Sequence, residues 1–582
     1  MAEAPRGMDM VTMNVIDSTM VAICREMGIS LMKTSYSTIF NEGLDFTCAL
    51  ADADGEMIAV AEFCPAQIGG MPLVIKSSVA ELSTEPMEPG DVVVHNDPYR
   101  GGLHTPEHTF FVPIFVADEL MGYAVAIGHV AEVGGSVPGG FASEATEIFH
   151  EGLRVPPIKI KRRGQDVDDV WKLLLANVRT PRHNYGDYRA LIGSVELGAR
   201  RTVELVEKYG ADTFRRTCRD LMGYSEARMR AELAAFPDGR YGFDDFMEDD
   251  GIEDRPYRIH VDCFVQGDEV VIDFAGSDAQ AKGAINATLG VAWSASYNAI
   301  LHLTDPTIPK NSGCFRPIRV LAPPGSVVNV DYPAPEVGGN TETHPRIAYT
   351  VIGALAQAVP DRAPATDAAT HCNFLFGGTD PRNDEYFVCY DFLAAGWGGR
   401  PFADGNSAVN CINGNCRMIP AEVFEVRYPW LIEAFALVPD SGGPGTHRGG
   451  LGVTKRLLCR DTPITVSHMG DRHKLAPWGL FGGGAGSRAW LHIKRAGDET
   501  WRTVAEAEGR VSPSKFAGLT LHPGDRIWLT TPGGGGWGDP RKRATAAIED
   551  DVAEGWVSRD RIAADYELAD HAGRDAHPAG ED

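Results

Sequence analysis

Residues 96–135 read NDPYRGGLHTPEHTFFVPIFVADELMGYAVAIGHVAEVGG, and the placing of their apolar runs decides the local fold. Thr109 to Ala117 is one such run and Gly122 to Gly128 a second, with Asp118-Glu119-Leu120-Met121 as a short polar connection. Two β-rich runs joined this closely predict an antiparallel hairpin. In a hairpin the start of the first strand lies beside the end of the second. His104 and Glu107, just before the first run, therefore arrive beside His129, which closes the second. Two imidazoles and a carboxylate at one end of a ribbon make a three-ligand site for a divalent metal, with a coordination position left open. Nitrogen and oxygen ligands without thiolate suit zinc, manganese or iron equally. His108 stands as a fourth ligand or as a competitor of His104, and strand alternation turns Glu107 and His108 to opposite faces.

Two further carboxylates flank this set. Glu132 follows His129 by three residues, where it can hold a metal-bound water, and Asp45 opens its own strand after Gly43-Leu44. Either reads equally as a solvated turn residue. A metal lowers the pKa of its water and polarises a carbonyl, as amide hydrolysis requires, and a nearby carboxylate takes the proton.

The chain has 582 residues, too many for one core, so two to four domains are expected. With 43% hydrophobic and 23% charged residues its composition is that of a soluble globular protein. A net charge of −26 argues against nucleic acid or an anionic membrane as partner. There is no basic segment leading into an apolar one at the N-terminus, and no run of about 20 apolar residues, so neither secretory signal nor membrane span is predicted. The eleven cysteines follow no regular frame; Cys411 and Cys416, the closest pair, lack a second pair at zinc-ribbon spacing. They read as reduced thiols in a cytoplasmic protein.

Apolar residues at helical spacing predict a helix from Met10 to about Lys33 through Val11, Val15, Ile16, Met20, Ile23 and Met27. Two short strands follow around Asp52-Ala53-Asp54-Gly55, then a helix over 70–82 and a strand over 91–95. WKLLLANVRTP predicts a helix ending at Pro181, ALIGSVELGARRTVELVEKYG a long amphipathic helix stopped by Gly210, and 211–236 one more. The acidic DDFMEDDGIEDRPY marks a boundary near residue 250, after which RIHVDCFVQGDEVVIDFAG is a hairpin and GAINATLGVAWSASYNAILHL a helix. The expected class is α+β and multidomain, with mixed antiparallel sheets. The expected units are an N-terminal metal-binding domain (1–250), a middle α+β domain (251–440), a β-rich glycine-loop domain (441–540) and a helical peripheral tail (541–582).

No HExxH helix, HxH pair, G-x-S-x-G elbow or G-x-x-x-x-G-K-[ST] loop is present, which removes several hydrolase classes and an ATP site of this kind. The glycine clusters FGGGAG (481–486) and TPGGGGWGDP (531–540) lead into no helix carrying a lysine, so they read as tight turns at strand ends rather than phosphate cradles. His447 and Arg448, among glycines, are open to subunit contact, loop structure or substrate contact.

NDPYRGGLHTPEH, HVAEVGG, ATEIFHEGLRVPPIK, LLANVRTP, IDFAGS, GAINA, NSGCFRPIRV, PGSVVN, GPGTHRGGLG and TPGGGGWGDP, in this order, resemble the hydantoinase B/oxoprolinase family over roughly residues 10 to 540. That family includes subunits of ATP-dependent N-methylhydantoinases, the C-terminal half of 5-oxoprolinase, caprolactam-opening hydrolases, and subunits of acetone and acetophenone carboxylases. The resemblance implies a hydantoinase A-type partner with an actin-like ATPase fold, which uses ATP and Mg2+ to phosphorylate a carbonyl or enol oxygen of the substrate. The B-type chain then acts at a metal centre whose ligands look like His104, Glu107 and His129, with Asp45 as a fourth. The family often carries aspartate at Glu107 and at Glu132, and histidine at Gln67.

The expected function is therefore the B-type subunit of a cyclic amide hydrolase acting on a hydantoin, 5-oxoproline or a lactam, with Glu132 as candidate base. The alternatives are a ketone carboxylase subunit and a non-catalytic scaffold whose metal stiffens the hairpin.

Overall fold

The predicted hairpin lies in the middle of a seven-stranded antiparallel sheet in the computed structural model, which describes residues 10–566. Its strands are β1 (Phe46–Asp52), β2 (Met57–Val60), β3 (Val92–His95), β4 (Glu107–Val116), β5 (Glu119–His129), β6 (Ile158–Arg162) and β7 (Gln165–Asp166). They stand in the order β2-β1-β5-β4-β3-β6-β7. The connection between β4 and β5 is Ala117-Asp118 rather than the four residues 118–121, with Ala117 at φ 53°. Glu119 to Met121 are drawn into the second strand because their backbone groups complete its ladder.

Both faces of this sheet are covered. Phe46, Cys48, Leu50, Phe110, Val112, Ala124 and Ala126 pack in one core with the helices Met10–Thr34 and Pro181–Tyr209. The alternate residues Ala49, Ala51, Phe111, Tyr123, Val125 and Ile127 share a second core with the helices Leu289–Leu303 and His344–Leu355. A strand buried on both faces has no polar side, which is why TFFVPIFV reads as a continuous apolar run.

The first helix presents Met13, Ile16, Met20, Ile23, Met27 and Leu31 to the core. Val11 and Val15, assigned to that face from spacing, are 66% and 41% exposed. The long helix begins at Pro181, not near Ala190: proline sits at its first turn, where no backbone N–H is needed.

A second sheet orders β8 (Gly239–Met247), β9 (Tyr257–Gln266), β10 (Glu269–Asp273) and β11 (Ile318–Leu321) as β11-β10-β9-β8, with β10 and β11 parallel. Two more sheets form a sandwich. One is β13-β12-β16-β19, from β12 (Asn373–Thr379), β13 (Tyr386–Phe392), β16 (Ile464–Met469) and β19 (Lys515–Leu521). The other is β14-β15-β20-β17-β18, from β14 (Trp430–Leu437), β15 (Val453–Cys459), β17 (Trp490–Lys494), β18 (Arg502–Thr503) and β20 (Arg526–Thr530). Phe374, Phe376, Trp430, Leu457, Val466, Leu491, Phe516 and Ile527 fill the core they share.

The divisions expected at 250 and 440 cut through these units. β14 and β15 pair across residue 440, and β12 pairs with β16. The second core joins Ala49 and Val125 to Ile259, Val291 and Ile352. Turn density and acidic composition mark loops, whereas a domain is set by which faces share a core. The tail continues as the helices Thr545–Ala553 and Arg559–Tyr566, and Asp551 is buried against Arg448 and Arg543. Residues 567–582 of the predicted tail lie outside the described residues. No described helix is long and apolar enough to cross a membrane.

Candidate metal centre

The hairpin register sets Glu107 directly opposite His129. His104, in the turn before β4, brings Nε2 to 3.8 Å from Glu107 Oε1, and its ring centroid lies 5.1 Å from that of His129. Asp45 precedes β1, the strand next to β5, and its Oδ2 lies 3.9 Å from His129 Nδ1. The four side chains assigned to a metal from the sequence thus meet at one end of the ribbon. His108 faces away, as alternation requires: its Nε2 lies 3.3 Å from the Tyr188 hydroxyl.

The local hydrogen bonds leave metal-binding lone pairs bare. His104 Nδ1 lies 2.9 Å from the Val337 carbonyl, which can only accept, so Nδ1 carries the proton and Nε2 presents its lone pair. Glu151 Oε1 in turn accepts the backbone N–H groups of Glu336 and Val337 at 2.8 and 3.0 Å, which fixes that carbonyl. Glu107 Oε1 accepts from Gln67 Nε2 at 2.9 Å and Asn340 Nδ2 at 3.0 Å. His104 Nε2, His129 Nε2, Glu107 Oε2, Gln67 Oε1 and Asn340 Oδ1 are buried without a hydrogen-bond partner.

Such a concentration of unpartnered polar atoms is costly unless something answers them. Burial holds the His104 imidazole down at about 3 and pushes His129 well below the usual range. Burial, and then the neighbouring Asp45, push the Glu107 carboxyl up to about 8, while burial pushes Asp45 up to about 6. Neither carboxylate forms an ion pair with a lysine or arginine among the described residues. Two neutral imidazoles and two carboxyls without a cationic side chain fit a divalent cation, whose charge would hold both carboxylates ionised.

Glu132 stands elsewhere. Its Oε1 accepts from Gly134 N at 2.6 Å and from Arg179 at 3.0 Å, and its Oε2 accepts from Gly139 N at 3.0 Å. It is fully buried, and both oxygens are spent on the 134–139 loop and Arg179, so the structure gives it a positioning role instead of the base expected from its spacing. Val130, Ala131 and Glu132 line a cavity of about 380 Å³ that begins directly after His129.

Several neighbours were not assigned to the site from the sequence. Asn340 comes from a short π-helical turn, Gly339–Thr343. His371 is a third buried imidazole near this pair, and its Nε2 lies 3.0 Å from Asn413 Oδ1. Tyr390 stacks on His129 at 4.4 Å, and Phe141 covers the same ring at 5.7 Å. Asn340, His371 and Tyr390 come from segments remote in sequence, and Phe141 from the loop that leaves the hairpin, with no spacing signal tying any of them to the site.

Fold and site together define an α+β protein with a buried imidazole–carboxylate cluster at the end of a central antiparallel sheet. The chain belongs to the hydantoinase B/oxoprolinase family, whose profile matches residues 9–540. It is 34% identical to the beta chain of the Pseudomonas jessenii caprolactamase, covering 98% of this chain and 99% of that one. It is 33% identical to the B-type chain of a putative D-/L-hydantoinase from Pseudomonas sp. (strain NS671), covering 96% and 95%. The crystal structure of the ATP-dependent caprolactamase from Pseudomonas jessenii superposes with a TM-score of 0.90 at 30% identity, over 98% of each chain. A nucleotide-free acetone carboxylase shares the fold, with a TM-score of 0.87 at 20% identity over 97% of this chain and 80% of that one.

Proposed function

We propose that this chain is the metal-containing B-type subunit of an ATP-dependent cyclic amide hydrolase, opening a hydantoin, 5-oxoproline or lactam ring. The observation that carries the reading is the buried cluster of bare donors in a chain matched end to end by a caprolactamase chain. His104, His129, Glu107 and Asp45 would hold one divalent ion, zinc, manganese or iron. Such an ion, when bound, supplies Lewis acidity and a water acidic enough to act near neutral pH. The chain's own residues prepare the site for it. The Val337 carbonyl selects the His104 tautomer, the Gln67 and Asn340 amides hold Glu107, and Tyr390 and Phe141 keep bulk water from His129.

A partner A-type ATPase subunit would supply the phosphorylated carbonyl: phosphorylation makes the unreactive amide carbon electrophilic, water adds there, the C–N bond breaks as the ring nitrogen takes a proton, and hydrolysis of the resulting acyl phosphate releases phosphate. The kinship with a caprolactamase beta chain supports such a two-subunit arrangement. The fold shared with acetone carboxylase supports ketone carboxylation as the second reading. Near-complete mutual coverage with the caprolactamase, against 80% of the carboxylase chain, favours hydrolysis.

The test is a screen of the co-expressed pair with ATP, following phosphate release and product together. Ring opening of a hydantoin, 5-oxoproline or caprolactam without bicarbonate is expected, and it should vanish in His104→Ala/His129→Ala along with bound metal. Fixation of labelled bicarbonate into acetone or acetophenone would establish the carboxylase reading instead. Full activity in the metal-free double variant would reduce the ion to a scaffold.

A further inference from the structure

Beside the imidazoles lies a second cluster, of different chemistry, whose two thiols the proposed reaction does not use. Cys64 follows β2 and caps the short helix Pro65–Ile68, while Cys416 comes from the 410–418 loop, far along the chain. One carboxylate oxygen of Asp45 and the sulfurs of Cys64 and Cys416 lie within 4.8 Å of one another. The loop is held against the helix: Ala66 N–H donates to the Asn413 carbonyl at 2.9 Å, and Cys64 Sγ lies 3.6 Å from that same oxygen. Cys64 and Asp45 are buried, whereas Cys416 is half-buried and lines an open cavity of about 430 Å³ with Asn410, Trp397, Arg400 and Arg417.

We propose that Asp45, Cys64 and Cys416 form a second cation site, for a thiophilic divalent ion such as zinc, sharing the Asp45 carboxylate with the imidazole–carboxylate centre. The distances suit it. Ligands at about 2.0–2.3 Å from a tetrahedral zinc lie about 3.5–3.8 Å apart, so closure needs movements of about 1 Å or less. Two sulfurs and one oxygen leave a fourth position, and Cys416 gives an entering ion a route from the cavity. The unpartnered, fully buried Gln67 Oε1 belongs to the same neighbourhood, since Gln67 Nε2 lies 3.5 Å from Asp45 Oδ1. Sulfur ligation selects zinc or cadmium over manganese, which separates this site from its nitrogen–oxygen neighbour.

The reduced, metal-stripped full chain is titrated with Cd2+ while the ultraviolet sulfur-to-cadmium charge-transfer band is recorded. A saturable band is expected in the native chain and in His104→Ala/Glu107→Gln, and its loss in Cys64→Ser and in Cys416→Ser. Retention in the His104→Ala/Glu107→Gln background keeps this result independent of the proposed reaction. Should the serine variants fail to fold, the native chain still decides. Zn2+ at ten times its Kd slows alkylation of Cys416 about tenfold, read by peptide mapping. An unchanged alkylation rate, no cadmium band, a band surviving both serine substitutions, or a Cys64–Cys416 disulfide that excludes cadmium overturns the proposal.

Discussion

At the residue scale, the centre depends on side chains whose remaining hydrogen bonds are already fixed. His104 presents a lone pair because the Val337 carbonyl accepts its one N–H, and that carbonyl is fixed because Glu151 accepts two backbone N–H groups. Glu132 illustrates the opposite case, a carboxylate at a suggestive spacing that is spent on loop geometry. Glu132→Ala leaves the buried backbone donors of Gly134 and Gly139 without their acceptor, at a cost of about 1–3 kcal/mol per orphaned group, while Arg179 keeps the Gly134 and Gly135 carbonyls. The expected outcome is a lower thermal midpoint with metal content unchanged, measured by calorimetry and elemental analysis. Loss of metal at unchanged stability would return Glu132 to the centre. The convergence of His104, Glu107 and His129 was legible because a hairpin has one register and three residues to read. Asn340 was not, because an amide that holds a carboxylate from another segment leaves no pattern in either segment, and Gln67 stood out only against the family's usual histidine.

At the element scale, the glycine clusters pack backbone against backbone. Gly534 N donates to Gly450 O at 3.0 Å, Gly443 N to Gly534 O at 2.8 Å and Gly399 N to Gly535 O at 2.8 Å. These bonds join three loops that the chain separates widely. The reading of the clusters as tight turns at strand ends did not foresee this mutual packing, in which residues 531–536 run without a turn. A Cβ on Gly534 would stand 2.0 Å from the Trp397 carbonyl oxygen, which is backbone and cannot rotate away. Gly534→Ala is therefore expected to cost about 1–3 kcal/mol or more through overpacking, seen as a lower urea midpoint. A midpoint equal to that of the native chain would show that the layers yield.

At the scale of the whole molecule, a buried ionic network ties the second sheet to the sandwich. Lys515, which opens β19, lies 3.5 Å from Asp471 and 3.7 Å from Asp249. Arg346 reaches Asp471 at 3.2 Å and Asp245 at 3.4 Å, and Arg472 reaches Asp245 at 3.3 Å. Lys515, Asp249 and Asp471 are fully buried, so removing the cation leaves uncompensated charge. Lys515→Met is expected to destabilise the fold by about 3–5 kcal/mol, measured by denaturant unfolding. A loss below about 1 kcal/mol, the range of exposed pairs, would show that the arginines and Lys474, whose Nζ lies 2.9 Å from Asp249, suffice.

The sequence by itself determined what acts over short distances: the β4–β5 hairpin, the helices Met10–Thr34, Met71–Glu81 and Ala211–Leu233, the class, and the meeting of His104, Glu107 and His129. Periodicity and turn chemistry are local, and a register follows from a turn. Only the tertiary structure decided the shared cores across 250 and 440, the fate of Glu132, and the placing of Cys416 beside Cys64 and Asp45. Those outcomes depend on which faces bury one another, and burial is a property of the assembled chain that no single stretch of residues carries.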